Sequence, residues 1–435
     1  MRFYFEVLRG SLVNAICKPH LGRRASVFMA VIAALFVLSA CLGNGLLRWV
    51  WCPLPVLYVV LHYGEPLRRR RLAHFFSRLR FWGYDGRLPV YWGQDIVNKY
   101  LVLVRFRSTV PPTQWEKLKG DFEIFYKMPL YKMEQSRKDK RVMSVSFIKE
   151  ELPHYIEWRD NLMEASARFA IGESYTGKVV WDASAMPHGL IGGSTGSGKT
   201  GLLRCIIHQA IKKHWNISVL DFKGGGDYTT VERQYQDLAK DYGPFIISEA
   251  EEARQLLMGL TIEVKGRLAA FKEAGVSNIE EYNARGRERF VPWLLVVDEA
   301  AELLDVKPKD KAEKEMYSEI DHYLRTLARL SRAAGVHILM GFIRPSADVL
   351  DGQIKNNLLW RVCGYFSDPA ASRIVLDSER ATELPPEVKG RFIVGEEETQ
   401  AYYFPVPPIA VEAEDGGEAE REPSAPASPA EQGTT

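Results

Sequence analysis

The sequence predicts an α/β chain: a two-helix transmembrane hairpin, a small α/β module, and a larger nucleotide-binding domain on a mostly parallel sheet with flanking helices. Three observations lead there. Two apolar runs near the N-terminus are bracketed by arginines. A phosphate-loop pattern sits between an apolar strand and a helix of apolar period. A second apolar strand, ending in Asp298-Glu299, follows downstream.

In chain order, residues 1–25 are expected to be a cytoplasmic N-terminus, and residues 26–42 and 46–63 the two arms of a hairpin over 26–63. Each run as a helix measures about 26 Å, close to the ~30 Å hydrocarbon core of a bilayer. Gly43-Asn44-Gly45 supplies the turn, and Arg48 can snorkel to the outer interface. Arg23 and Arg24 precede the hairpin and Arg68-Arg69-Arg70-Arg71 follow it, which places both flanks in the cytoplasm. The expected location is therefore the cell membrane, multi-pass, with the larger domain and both termini inside. A cleaved signal peptide fits poorly, because the polar lead is long and a second apolar run follows directly. Pro53 and Pro55 leave a re-entrant second arm as the alternative.

The net charge of +2 conceals an asymmetry. Residues 65–110 hold ten Lys/Arg against three Asp/Glu, whereas residues 411–435 hold seven Asp/Glu and one Arg. Residues 64–84 are expected to form a basic juxtamembrane segment of helical period, with Leu67, Leu72, Phe75, Phe76 and Leu79 on its apolar side. Its simplest role is to lie against anionic headgroups. The module over 85–165 is expected to contain strands at 100–107 and 142–147 and a helix at 113–125, with Trp115 and Tyr126 in its core or an interface. Cys17, Cys41, Cys52, Cys205 and Cys363 form no Cys-x-x-Cys pair and no metal-ligand spacing, so they read as reduced packing thiols.

The larger domain is expected over 166–400. Gly193-Ser194-Thr195-Gly196-Ser197-Gly198-Lys199-Thr200 satisfies G-x-x-x-x-G-K-[ST], between the strand His188-Gly189-Leu190-Ile191 and a helix at 201–211. Its backbone N–H groups would face nucleotide phosphates, Lys199 would meet the β- and γ-phosphates, and Thr200 would ligate Mg²⁺. ATP and Mg²⁺ are the implied cofactors. Leu294-Leu295-Val296-Val297-Asp298-Glu299 supplies the partner strand: Asp298 to hold the metal through its water shell, Glu299 to act as general base on the attacking water. Further strands are expected at 217–222, 336–340 and 359–364, alternating with helices.

Several stretches carry a family resemblance: Ala185-Met186-Pro187-His188-Gly189-Leu190, Asp221-Phe222-Lys223, Gly275-Val276-Ser277-Asn278-Ile279-Glu280-Glu281-Tyr282-Asn283, Ser331-Arg332-Ala333-Ala334-Gly335-Val336-His337, Arg344-Pro345-Ser346-Ala347-Asp348-Val349, Ile354-Lys355-Asn356-Asn357 and Ser372-Arg373-Ile374-Val375-Leu376-Asp377. In that order they resemble the FtsK/SpoIIIE family of DNA-pumping ATPases, from about residue 171 to 394. The resemblance implies a RecA-like subunit that works on DNA as a ring, expected to be a hexamer, with ATP between neighbours. It also implies an arginine reaching the site from the next subunit, for which Arg332, Arg361 and Arg373 are the candidates. One position departs from the family. Where it has Thr-Gln-Arg-Pro, this chain has Phe342-Ile343-Arg344-Pro345, and isoleucine cannot hydrogen-bond a phosphate or a water. Either another group senses the γ-phosphate, or hydrolysis is slow or partner-activated.

Residues 401–435 are expected to be an acidic, disordered tail, with no sequence-reading module after the motor. The whole arrangement resembles the Tcp-type coupling proteins of Gram-positive conjugative elements. That resemblance implies an ATP-driven DNA translocase delivering relaxase-bound DNA to transfer-channel proteins. A chromosome or plasmid partitioning translocase is the alternative, and a protein-secretion ATPase a more distant one.

Overall fold

The computed structural model describes residues 65–404, apart from 225, 239–244, 287–288, 347–348 and 351. The expected N-terminus, the hairpin and the tail from residue 405 onward lie outside the described residues. Among the described residues no helix is long and apolar enough to cross a membrane. The described residues form two compact units, one from 65–156, 170–181 and 361–402, the other from 157–169, 182–360 and 403–404.

In chain order the elements begin with α1 (Glu65–Arg78), β1 (Val90–Ile96), β2 (Leu101–Arg107), α2 (Pro112–Glu116), α3 (Lys119–Tyr126), β3 (Leu130–Gln135), β4 (Val142–Ile148) and β5 (Ile156–Glu157). They continue with β6 (Arg168–Ser174), β7 (Gly177–Asp182), β8 (His188–Gly192), α4 (Lys199–Lys212), β9 (Asn216–Leu220), α5 (Thr229–Leu238), β10 (Ile246–Ile247), α6 (Ala250–Ala274) and α7 (Ile279–Ala284). The last group is β11 (Trp293–Val297), α8 (Ala301–Leu304), α9 (Lys311–Leu330), β12 (Val336–Phe342), α10 (Gly352–Asn357), β13 (Trp360–Gly364), α11 (Pro369–Leu376), β14 (Arg391–Val394) and β15 (Glu397–Tyr403).

In the first unit, β1, β2, β4 and β3 pair in that order as an antiparallel sheet. Alternation along the strands turns Tyr91, Val104, Phe106, Val145 and Phe147 into a core that also takes Trp115 and Phe122. The helix expected over 113–125 is two helices. The chain bends at Lys117 and Leu118, where ψ opens to −20° and 7°. This bend brings Trp115 and Phe122 face to face, with ring centroids 5.9 Å apart and planes 6° apart. The apolar side of α1 enters the same core: Leu72 and Phe76 are buried there, and Phe76 meets Trp115 at 5.9 Å. The helical part of the segment expected at 64–84 thus shares this core, with its apolar side packed against protein.

The same unit contains the antiparallel run β13-β14-β15-β6-β7. The expected boundaries fall at 85, 165 and 400, and this unit draws its strands from both sides of the one at 165. Strands distant in sequence come together in this unit by pairing with one another, in a sheet separate from β1-β2-β4-β3. β15 runs through residue 403 with Ala401 and Tyr402 buried, so the first residues assigned to the tail are strand. Arg391, also buried, anchors this run: Nε donates to Gln400 Oε1 at 2.9 Å, and Nη2 donates to the carbonyl of Leu152 at 3.1 Å.

In the second unit, five strands pair in the order β10-β9-β11-β12-β8, all parallel. Four of them are near-continuous apolar runs with little alternation, as a sheet covered on both faces requires. Val297 registers with Leu220 on one side and Met340 on the other, and Phe342 registers with Gly192. The carboxyl ends of four strands thereby share one edge. At the opposite end, His188 and His337 open β8 and β12, both buried. His188 Nδ1 accepts the Ile338 N–H at 3.1 Å, and Trp215 stacks on His337 at 5.0 Å. Burial pushes the His188 imidazole down to about 3 and that of His337 to about 4, so both are neutral.

Candidate nucleotide-binding site

The shared sheet edge collects the residues that follow each strand: Gly193 after β8, Asp221 after β9, Asp298 and Glu299 after β11, and Ile343 after β12. The loop after β8 curls through Gly196 at φ 83° and Gly198 at φ 102°, a region that side chains resist. Gly198 then caps α4, whose first residue is Lys199. The loop N–H groups and the positive end of a 14-residue helix therefore face the same space.

Lys199 is buried, and its ammonium lies 3.4 Å from Asp298 Oδ1 and 4.0 Å from Glu299 Oε2 while donating to the Asp298 carbonyl. Burial pulls its pKa below the ordinary lysine value, while the two carboxylates oppose that pull. Asp298 is itself buried. Its Oδ1 accepts the Tyr228 hydroxyl at 2.8 Å, and its Oδ2 stands 3.8 Å from Lys223 Nζ. Burial, then the neighbouring Asp298 carboxylate, raise the Tyr228 phenol well above its usual value, so it remains a donor. Both Glu299 oxygens accept from the backbone N–H of Ile343, at 3.0 and 3.2 Å, and Lys223 Nζ lies 3.7 Å from Oε2. A carboxylate held this way, with a lysine on one side and an amide on the other, can orient and deprotonate a water.

Two features fit the site to a nucleotide and its magnesium. Ser197 Oγ, inside the phosphate loop, is buried with no hydrogen-bond partner among the described residues. Thr200, the second residue of α4, and Asp298, after β11, offer the oxygen donors that Mg²⁺ takes. Gly341 makes room for the lysine. A Cβ added there would stand 2.1 Å from the Asp298 carbonyl and 2.8 Å from Lys199 Nζ.

Of the residues expected from sequence, Gly193, Ser194, Thr195, Gly196, Ser197, Gly198, Lys199, Thr200, Asp298 and Glu299 lie at this edge. The arginine candidates lie elsewhere. Arg332 follows α9 on the end of the sheet where β8 begins, with Nη2 3.5 Å from the Ala185 carbonyl. Arg361 pairs with Asp377 and Arg373 with Glu379, all within the other unit. Sequence reasoning passed over Tyr228, Gly341 and the Ile343 amide. Lys223 was visible only as the third residue of Asp221-Phe222-Lys223.

A model described as the FtsK/SpoIIIE family matches residues 158–347. The DNA translocase FtsK of Clostridium tetani (strain Massachusetts / E88) is 34% identical over 253 residues, 53% of this chain and 32% of that protein. The DNA translocase SftA of Bacillus subtilis (strain 168) is 31% identical over 226 residues, 49% of this chain and 22% of that one. This chain thus spans a third or less of these curated relatives. Among solved structures, the conjugation coupling protein TcpA of pCW3, a monomer form with ATPgS, is 33% identical with a TM-score of 0.57, covering 78% of this chain and 95% of that one.

Proposed function

The chain belongs to the FtsK/SpoIIIE family, and from that premise we propose that it is a membrane-anchored, ATP-driven DNA translocase that acts as a coupling protein in conjugative transfer. The observation that carries the reading is its likeness to a conjugation coupling protein along 95% of that protein's solved chain. Phosphates entering the loop draw Lys199 away from Asp298 and Glu299, which exchanges one buried ion pair for another. Thr200 and Asp298 would hold Mg²⁺, which neutralises charge on the phosphates. Glu299, steadied by the Ile343 amide, takes the proton of the attacking water. Subunits assemble as a ring, in this reading a hexamer, and one of Arg332, Arg361 or Arg373 serves the neighbouring site. The hairpin over 26–63 holds the ring to the cell membrane with the motor and both termini inside. Relaxase-bound DNA is the cargo, and transfer-channel proteins receive it.

The test is steady-state ATP hydrolysis by the full chain in detergent or nanodiscs, with and without DNA, together with conjugation frequency in a strain lacking the gene. DNA-stimulated hydrolysis and lost transfer support the reading, and hydrolysis indifferent to DNA sinks it. Intact transfer with missegregated chromosomes or plasmids would favour a partitioning translocase instead.

A further inference from the structure

The second unit has a basic cleft remote from the ATP edge. His322, Arg325, Thr326 and Arg329 recur at helical spacing on one stripe of α9, and Asn356 and Asn357 of α10 face them across about 530 Å³. Ile354, buried, completes the lining. Every polar group lining the cleft can donate a hydrogen bond, and among the described residues no Asp or Glu lines it. Asp321, one turn before Arg325, accepts from its Nε at 2.7 Å and fixes the guanidinium. His322, Arg329 and Asn356 are exposed, so the cleft is an open groove on the surface. Arg325 and Arg329 lie in the last turns of α9, which leads into the start of β12, whereas ATP-site residues follow the strands' other ends. The cleft is therefore not an extension of the nucleotide site.

We propose that this groove is a cradle for the phosphodiester backbone of nucleic acid. Two arginines whose Cα atoms are about 6 Å apart along the helix axis suit a run of anionic groups better than a single small anion. Carboxamides and a hydroxyl on the facing walls add neutral donors for phosphate oxygens, contacts that carry no sequence information. The groove also has a route to chemistry. The loop that begins at Ile343, whose amide holds Glu299, leads into α10, the second wall. Backbone seated against α10 can thus bias the geometry of the general base. The assignment rests on the DNA-motor reading and locates where that motor holds its cargo.

The experiment titrates a fluorescent duplex and a single strand into the full chain across a salt series. Arg325→Ala combined with Arg329→Ala should weaken binding at least tenfold and lower the salt slope by about 2. Asn356→Glu, at an exposed site on the other wall, should weaken binding at least threefold, and thermal midpoints report folding of each variant. Lys311→Ala, at the far, exposed end of α9, should change affinity at most twofold. Unchanged affinity and salt slope in a folded double variant overturns the assignment, as does a changed oligomeric state with unchanged DNA affinity. Absence of DNA binding by the unmodified chain overturns the motor reading itself and takes this assignment with it.

Discussion

The Tyr228 hydroxyl donates to Asp298 Oδ1 at 2.8 Å, from a fully buried ring that reaches the site along the loop after β9. Arg204 on α4 pins that loop by pairing with Asp227 at 2.8 Å, so the phenol approaches from a fixed direction. Tyr228 is a positioning residue: it orients the carboxylate that would hold Mg²⁺. Tyr228→Phe keeps the ring and deletes the donor. A hydrogen bond to a charged group is worth about 1.5–3 kcal/mol, so ATP turnover at limiting Mg²⁺ should fall about tenfold or more. Much of that loss should return at high Mg²⁺. A loss that Mg²⁺ does not relieve would show that Tyr228 only packs.

Lys199 and Glu299 separate binding from chemistry. Lys199→Ala removes the cation that meets the phosphates and should abolish most nucleotide affinity, measured with a fluorescent ATP analogue. Glu299→Gln keeps size and hydrogen bonding and should bind ATP while turning over at least a hundredfold more slowly. Equal loss of binding in the two variants would contradict these roles.

Ile343 explains how the site tolerates an apolar residue at a position where the family carries a polar one. Its main-chain N–H already holds both oxygens of Glu299. Ile343→Pro removes that N–H and should lower turnover about tenfold, whereas Ile343→Ala retains it and should lose much less. Equal losses in both would assign the effect to side-chain packing.

The buried histidines set an acid limit. With folded values near 3 and 4 against an unfolded value of 6.5, His188 and His337 contribute stability that is complete above pH 6.5 and is lost as pH falls toward 4 and then 3. Between pH 7.5 and 5.5 each should cost about 1.4 kcal/mol, read by chemical denaturation at the two values. His337→Gln should remove about half of that pH dependence, whatever its effect on absolute stability. An undiminished slope would place the titration on other groups.

The phosphate loop was legible in the sequence because its chemistry is contiguous: loop glycines, lysine and threonine act together within one turn of chain. Asp298 and Glu299 were legible because a strand of four apolar residues ends on them. Tyr228 was not, since its role depends on where a loop returns after leaving β9. Gly341 was not, since its reason is the lysine passing above it. The division into two units was hidden for the same cause: β6, β7, β13, β14 and β15 find one another through pairing across long stretches of chain. Helical period did show the apolar side of α1, but period cannot say whether lipid or protein covers it.

The burial of Phe76 has a practical consequence for anyone cutting the protein into soluble pieces. A fragment begun at residue 85 discards Leu72, Phe76 and Phe81 and strips one wall from Trp115 and Phe122. The bared aromatics form an adhesive patch, and such a fragment should aggregate on expression. Begun at residue 65, the same polypeptide retains α1 as its own lid and should remain monodisperse. Where a soluble piece can begin is thus decided by a phenylalanine ring on a helix that starts twenty-five residues before the first strand.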